Sequence, residues 1–537
     1  MKLSLESIIN DAAAWQAKGV ALPKFDIAAM RKRTAETPQW VHFGAGNIFR
    51  GFIGSLSQRL LDAGLAETGI IACDTFDFEV IDKIYTANDS LTLNVLLNPD
   101  GTTSREVLAG VAEGLKADFS DCAAAERLRA IFRAPSLQML SFTITEKGYA
   151  IRGTDGSLLP VVQSDMTAGP QAPRHVMSIT AALLLERFRA GALPMAVVAM
   201  DNCSHNGEKL MKAVLEIAEA WVANGLADEG FIAYLKDESK ISFPWTMIDK
   251  ITPRPHPRVE KSLADDGFEG MAPIVTDKKT FIAAFVNAEK PQYLVVEDKF
   301  PNGRPALEKA GVYFCDRETV NMTERMKVTT CLNPLHTAMS MYGCLLGYTL
   351  ICDEMKDEDI VNLVKRLGYV EGLPVVVDPK IVSPKAFIDE VVNDRLPNPF
   401  MPDDPRRIAT DTSQKVGIRF GETVKSYIAA GKDLNDLVAI PLAIAGWFRY
   451  LLAVNDNGEQ FEVSPDPLKE EFQSKLAGIV WNDPSSYKGQ LSALLANESV
   501  FHVDYTKTPL AKRIEEYFVK LLAGPGSARK LLQDELK

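Results

Sequence analysis

"WVHFGAGNIFRGFIGSLSQRLLDAG", residues 40–64, reads as a strand, a glycine turn and a helix in succession. Ile48, Phe52, Leu56 and Leu60 share one helical face, and Gly64 suits the C-terminal end. Gly44 and Gly46 supply a G-x-G turn where the helix opens, and Phe49 stands where the dinucleotide fingerprint has its third glycine. A helix N-terminus offers free N–H groups and a positive dipole end, the chemistry that holds a pyrophosphate. Gly44, Ala45, Gly46, Asn47, Ile48, Phe49 and Arg50 are therefore candidates for binding a dinucleotide. Asp74 ends the next apolar run, GIIACD, 23 residues beyond Gly51. A carboxylate there accepts hydrogen bonds from an adenosine ribose 2′-OH and repels a 2′-phosphate, which selects NAD over NADP. It equally suits an N-cap for the following TFDFEV.

Outward from this unit, short β-branched runs alternate with helical patterns up to about residue 300. LQMLSFTITEKGY (137–149) and PMAVVAMDN (194–202) read as strands, with the helical HVMSITAALLLERFRAG (175–191) between them. Such alternation predicts a parallel, doubly wound α/β sheet of Rossmann type. LTLNVLLNPDG and TTSREVLAGV read instead as a hairpin turning at Asp100-Gly101. From about Asp316 strand-like runs become rare, and helical patterns cover 317–343, 356–367, 384–394, 415–431, 434–453, 467–480 and 510–523. The expected organisation is a dinucleotide-binding domain over 1–315 and a mainly helical substrate domain over 316–537, with KFPNGRPALEKAG (299–311) as the hinge.

Composition narrows the function. The chain has 537 residues, 46% hydrophobic and 24% charged, the balance of a globular protein of more than one domain. A formal net charge of −12 argues against a general nucleic-acid binder, which needs a basic face. The seven cysteines form no CxxC and no zinc-ligand spacing with histidine, so no metal site is expected. An odd cysteine count, a start without an apolar signal segment and the lack of an 18-residue apolar run predict a cytoplasmic protein that enters no membrane. Oligomeric state is not legible.

KVTTCLNPLH (327–336) sets a lysine, an asparagine and a histidine in one apolar stretch, with Pro334 inside it. Together with HFGAGNIFRGF (42–52), TITEKGY (143–149), AMDNCSHNG (199–207), FPWTMIDKITP (243–253), YLVVEDKFPNGRP (293–305) and RRIATDTSQK (406–415), it resembles the polyol-specific long-chain dehydrogenases, the mannitol dehydrogenase family, from about residue 39 to beyond 450. Lys147 in TEKGY turns the resemblance toward the hexuronate-reducing branch, because several polyol members carry glycine there. The resemblance implies a Rossmann domain, a helical domain, a site in the cleft between them, and NAD-dependent chemistry on a secondary alcohol without zinc. It further implies Lys327 as general acid/base, Asn202 and Asn333 as stabilisers of the oxyanion, His336 beside them, and Arg407, Lys415, Asp249 and Lys147 on the substrate.

One departure has a geometric consequence. The family pattern places its asparagine five residues after the lysine, and here the interval is six. At roughly 100° per residue, Lys327 and His336 fall on opposite faces of an unbroken helix. A break, with Asn333 as N-cap and Pro334 at the first helical position, or a π-bulge must intervene for them to converge.

Hydride delivery to a ketone leaves negative charge growing on oxygen. Asparagine N–H groups can stabilise that charge, and a lysine can protonate it when burial or a neighbouring cation lowers its pKa. Each residue also has a plain structural use: a solvated helix lysine for Lys327, a core histidine for His336, a helix cap for Asn202, surface pairing with Asp403, Asp404 or Asp411 for Arg407 and Lys415. Four cations in an acidic chain suit an anionic substrate, because arginine grips a carboxylate bidentately. The expectation is NAD-linked interconversion of a keto-hexuronate and a hexonate. A mannitol-type polyol 2-dehydrogenase is the alternative, and a non-catalytic nucleotide-binding protein the remaining one.

Overall fold

The structure is a computed structural model that describes residues 1–401 and 403–537. The chain divides into two compact units, residues 1–98 with 102–321, and residues 322–537 with 99–101. The division falls inside the Arg317–Met326 helix rather than at the predicted hinge. The 299–311 loop is pinned within the first unit. Asn302 Nδ2 donates to the carbonyls of Pro135 (2.9 Å) and Leu137 (2.7 Å), and Arg304 pairs with Asp298 and Glu308.

The first unit is built on a six-stranded sheet in the spatial order Val111–Lys116, Ile70–Asp74, Trp40–Phe43, Met139–Phe142, Met195–Ala199, Ile241–Ser242. Every ladder is parallel. Numbered by sequence the order is 3-2-1-4-5-6, that of the dinucleotide-binding Rossmann sheet, and it reverses between Trp40–Phe43 and Met139–Phe142. Alternate side chains enter separate cores, which is why the strands read as continuous apolar runs. Val41, Phe43, Ile71 and Leu140 pack on one side; Trp40, Ile70, Ala72 and Met139 pack with Phe52, Leu56 and Leu60 on the other. Burying one such large side chain contributes about 1.5–3 kcal/mol. Arg187, fully buried, donates to five main-chain carbonyls (Phe132, Ala134, Leu137, Leu193 and Pro194) at 2.7–3.1 Å. The predicted hairpin, Thr92–Leu97 with Thr103–Leu108, belongs to a separate mixed sheet with Val20–Ala21 and Phe285–Glu289.

Two readings need correction. TITEKGY does not continue its strand: Met139–Phe142 ends early, and Thr145–Tyr149 forms a short helix. Asp201 causes this turn, because its carboxylate accepts the N–H groups of Ile144 (2.8 Å) and Thr145 (3.0 Å) and the hydroxyl of Tyr149 (2.7 Å). The long helices are also interrupted. Helix 317–343 is an α-helix to Met326, a π-helical turn over Lys327–Cys331, and a second α-helix over Asn333–Leu346. Further π-turns occupy Phe49–Ile53, Val391–Arg395 and Gly417–Gly421.

The second unit is helical. All twelve residues of Ala439–Tyr450 are buried, as expected of a helix apolar all round. Buried Glu371 accepts the N–H groups of Val438, Ala439 and Ile440 at 2.6–3.0 Å and so closes that helix's N-terminus. Arg449 donates to the carbonyls of Leu521, Val454 and Asn455. No disulfide forms among the described residues; Cys73, Cys331, Cys344 and Cys352 are buried, and Cys122 is exposed. Among the described residues no helix is long and apolar enough to cross a membrane.

Candidate active site

The glycine turn sits at the switch point of the sheet. Gly44 has φ +101°, and a Cβ there would lie 2.2 Å from the carbonyl oxygen of Thr143, at the end of the neighbouring strand. The fold itself therefore demands this glycine. Gly46 is different: its φ is ordinary, and a Cβ would meet nothing within 4 Å. The space over Gly46 is the kind a pyrophosphate fills. Asn47 opens the helix with its Oδ1 buried and without a hydrogen-bond partner, while its Nδ2 donates to Phe281 O at 3.3 Å. This turn fits a dinucleotide.

Phe49 and Arg50 do not face that space. Phe49 stacks on His42 (centroids 4.2 Å apart), and Arg50, 1% exposed, donates to the carbonyls of Ala283 (2.8 Å) and Ala284 (2.9 Å) and to Thr92 Oγ1 (3.1 Å). Their side chains belong to the core. His42 is held neutral, its pKa pushed down to about 3 by burial, between Ser141 and Thr143.

Asp74 caps a turn and lies beside the glycine loop. Oδ1 accepts the N–H groups of Phe76 (2.9 Å) and Asp77 (2.7 Å), as a turn cap does. Oδ2 faces Ala45 of the glycine turn, whose N–H lies 3.4 Å away. Burial raises the Asp74 pKa, and these three N–H groups oppose that rise. Asn202 is exposed and is not the cap of the following helix. Asn206 anchors that segment instead, through Nδ2 bonds to Asp201 O, Thr246 O and Thr246 Oγ1 at 2.9–3.0 Å. Asp201 ties Asn202 to the turn carrying exposed Lys147. Asp249 is buried at the end of Thr246–Asp249.

In the second unit Lys327 is 3% exposed and begins the π-turn. The break after it falls at Leu332 (φ −130°, ψ −61°), one residue before the expected place, and Asn333 and Pro334 are the first two residues of the next helix. The Asn333 side chain is half-buried and makes no hydrogen bond among the described residues. One turn on, His336 has its Nε2 buried without a hydrogen bond, 3.8 Å from Asp403 Oδ2. Burial pushes its pKa down to about 4; Asp403 opposes this, and Arg407, Arg419 and Arg395 reinforce it. Arg407 is 63% exposed and pairs with Asp403. Lys415 donates to the carbonyls of Thr410 and Ile408, and burial together with Arg419 lowers its pKa. Arg419, absent from the sequence reading, donates to Thr337 Oγ1, whose hydroxyl in turn donates to Asn333 O (2.9 Å). Nothing in the local sequence IRF singles it out.

A switch-point glycine turn on a 3-2-1-4-5-6 sheet, joined in one chain to a buried lysine on a π-turn, defines a Rossmann-type oxidoreductase. The chain belongs to the mannitol dehydrogenase family. Its Rossmann-domain model matches residues 38–309 and its C-terminal-domain model residues 319–522. The chain is 50% identical to D-mannonate oxidoreductase of Thermotoga maritima, covering 99% of each chain. It is 28% identical to polyol:NADP oxidoreductase of Gluconobacter oxydans, over 85% of this chain and 88% of that one. Among solved structures it resembles Pseudomonas fluorescens mannitol 2-dehydrogenase in ternary complex with NAD and D-mannitol, with a TM-score of 0.69, 27% identity and 99% of each chain covered.

Proposed function

We propose that the chain is an NAD-dependent reductase of a keto-hexuronate, interconverting D-fructuronate and D-mannonate in the cytoplasm, with tagaturonate as the alternative acid. The observation that carries the acid is charge. The ionic groups that weigh most on His336 are Asp403, Arg407, Arg419 and Arg395, in a chain of net charge −12. The Thermotoga relative supports the same substrate class. A mannitol-type polyol 2-dehydrogenase is the second reading, favoured by the mannitol-bound Pseudomonas structure.

The proposed division of labour gives NAD to the first unit, on the Gly44–Asn47 turn and Asp74, and the substrate chemistry largely to the second. When bound, NADH supplies the hydride. Lys327 gives its proton to the ketone oxygen, and in the reverse direction takes it back. The amides of Asn333 and Asn202 donate hydrogen bonds to that oxygen as its charge grows. His336, neutral at pH 7, meets a substrate hydroxyl. Arg407, Lys415 and Lys147 add positive charge, and Asp249 accepts from a hydroxyl.

The test is NADH and NADPH oxidation with fructuronate, tagaturonate, fructose and fructose 6-phosphate. Highest kcat/KM for a hexuronate with NADH is expected. Highest kcat/KM for fructose would select the polyol reading, and turnover of none of the four would remove both.

A further inference from the structure

We propose that Arg419, on the π-helical turn Gly417–Gly421, grips the substrate's carboxylate; this rests on the sugar-acid reading above and names the residue that makes the selection.

The protein shows how it treats a buried guanidinium that serves structure. Arg50, Arg187 and Arg449 each donate to two or more main-chain carbonyls. Arg419 is handled otherwise. It is half-buried, its one hydrogen bond within the described residues goes to the Thr337 hydroxyl, and no carboxylate of those residues pairs with it. A guanidinium offers a planar fork of donors, and most of the Arg419 fork is unused. Partial burial lowers its pKa to about 10, which leaves it cationic at neutral pH. A desolvated cation without a counterion is costly unless a ligand supplies one.

Its position matches the chemistry. Thr337 follows His336 and bonds back to Asn333 O, so Arg419 is fixed one hydrogen bond from the turn bearing both residues. Its charge reaches His336 and Lys415. The neighbouring cations are already committed: Arg407 to Asp403, and Lys415 to the carbonyls of Thr410 and Ile408. A carboxylate presents two oxygens to the open fork, whereas the hydroxymethyl of a neutral ketose offers no charge to balance. The residue thereby selects for an acid as well as binding it.

The test compares kcat/KM for fructuronate and fructose in the wild type, Arg419→Gln and Arg419→Lys. The expected result for Arg419→Gln is a fall of roughly ten- to hundredfold on fructuronate, carried by KM. Fructose turnover, NADH affinity and melting temperature should stay near wild type. Arg419→Lys keeps the charge without the fork and should fall between the two; it also serves if the glutamine variant does not fold. An unchanged fructuronate KM, or an equal loss on both substrates, overturns the assignment. If fructose turnover is too slow to read, the fructuronate KM decides, with NADH affinity and melting temperature as controls. A wild type that reduces fructose 6-phosphate and neither hexuronate overturns the sugar-acid reading itself. A wild type active on fructuronate with an unaffected Arg419→Gln overturns only the role of Arg419.

Discussion

Lys327 is a charged side chain held almost out of water. With the proton-transfer role proposed for it, Lys327→Ala should lose roughly 10²–10⁴-fold in kcat. NADH titration by fluorescence should show unchanged cofactor affinity. A kcat within about threefold of wild type would exclude the role. His336 makes a separate, pH-dependent contribution. Its folded pKa of about 4 lies below the unfolded value, so the unfolded chain binds the proton first on acidification. The stability from neutral His336 is present above about pH 6.5 and is lost as pH falls toward 4. Between pH 7 and 4.5 urea unfolding should cost the wild type about 2 kcal/mol more than His336→Gln, and equal losses would refute this. At this scale a motif makes candidates legible: Lys327, Asn333 and His336 stand out because they lie in one segment. Arg50 was misread because the carbonyls it binds, at residues 283 and 284, are far along the chain. Arg419 escaped because what marks it is a missing partner, which only burial reveals.

Among the elements, the π-turn explains how an added residue is absorbed. A π-turn closes i→i+5 hydrogen bonds and winds by roughly 80° per residue instead of 100°. Five such residues remove about 100° of the half-turn that would separate Lys327 from His336. Deleting Thr330 should therefore let the α-helix close, with the lysine and histidine still on adjacent faces. The deletion should keep kcat within about tenfold, while inserting alanine after Thr330 should lose far more, both by roughly 100° of rotation per residue. Equal damage from both would refute the account. The glycine turn gives a second contrast. Gly44→Ala meets the Thr143 carbonyl at positive φ and should cost at least 1–3 kcal/mol, to order of magnitude. Gly46→Ala should melt like wild type yet bind NADH more weakly, as calorimetry and NADH titration would show. Apolar periodicity found the helices but smoothed over their π-turns, because a single added residue shifts a period that is read over whole windows.

For the whole molecule, the alternation of strands and helices was enough to predict the parallel sheet, since crossovers between parallel strands need intervening helices. The mixed sheet was not foreseeable: it joins Val20–Ala21 and Phe285–Glu289 to the hairpin, pairings with no local signature. The boundary expected at 315/316 lies near the division at 321/322, but the hinge was misplaced, because a Pro/Gly-rich loop resembles a linker until its hydrogen bonds are seen. The cysteines give the native protein a chemical handle. Thiol reagents attack the thiolate. Burial raises the pKa of Cys73, Cys331 and Cys344 and pushes Cys315 up to about 12, whereas Cys122 stands exposed at the start of its helix. A brief maleimide pulse on the folded protein should label Cys122 ahead of the buried cysteines, as peptide mapping would show. Cys122→Ala should abolish that fast phase, and rapid modification at Cys331 or Cys344 would contradict it. A fluorophore placed there would sit on an outer helix of the first unit, away from Lys327 in sequence and free of its chemistry, a ready station for following the enzyme without altering it.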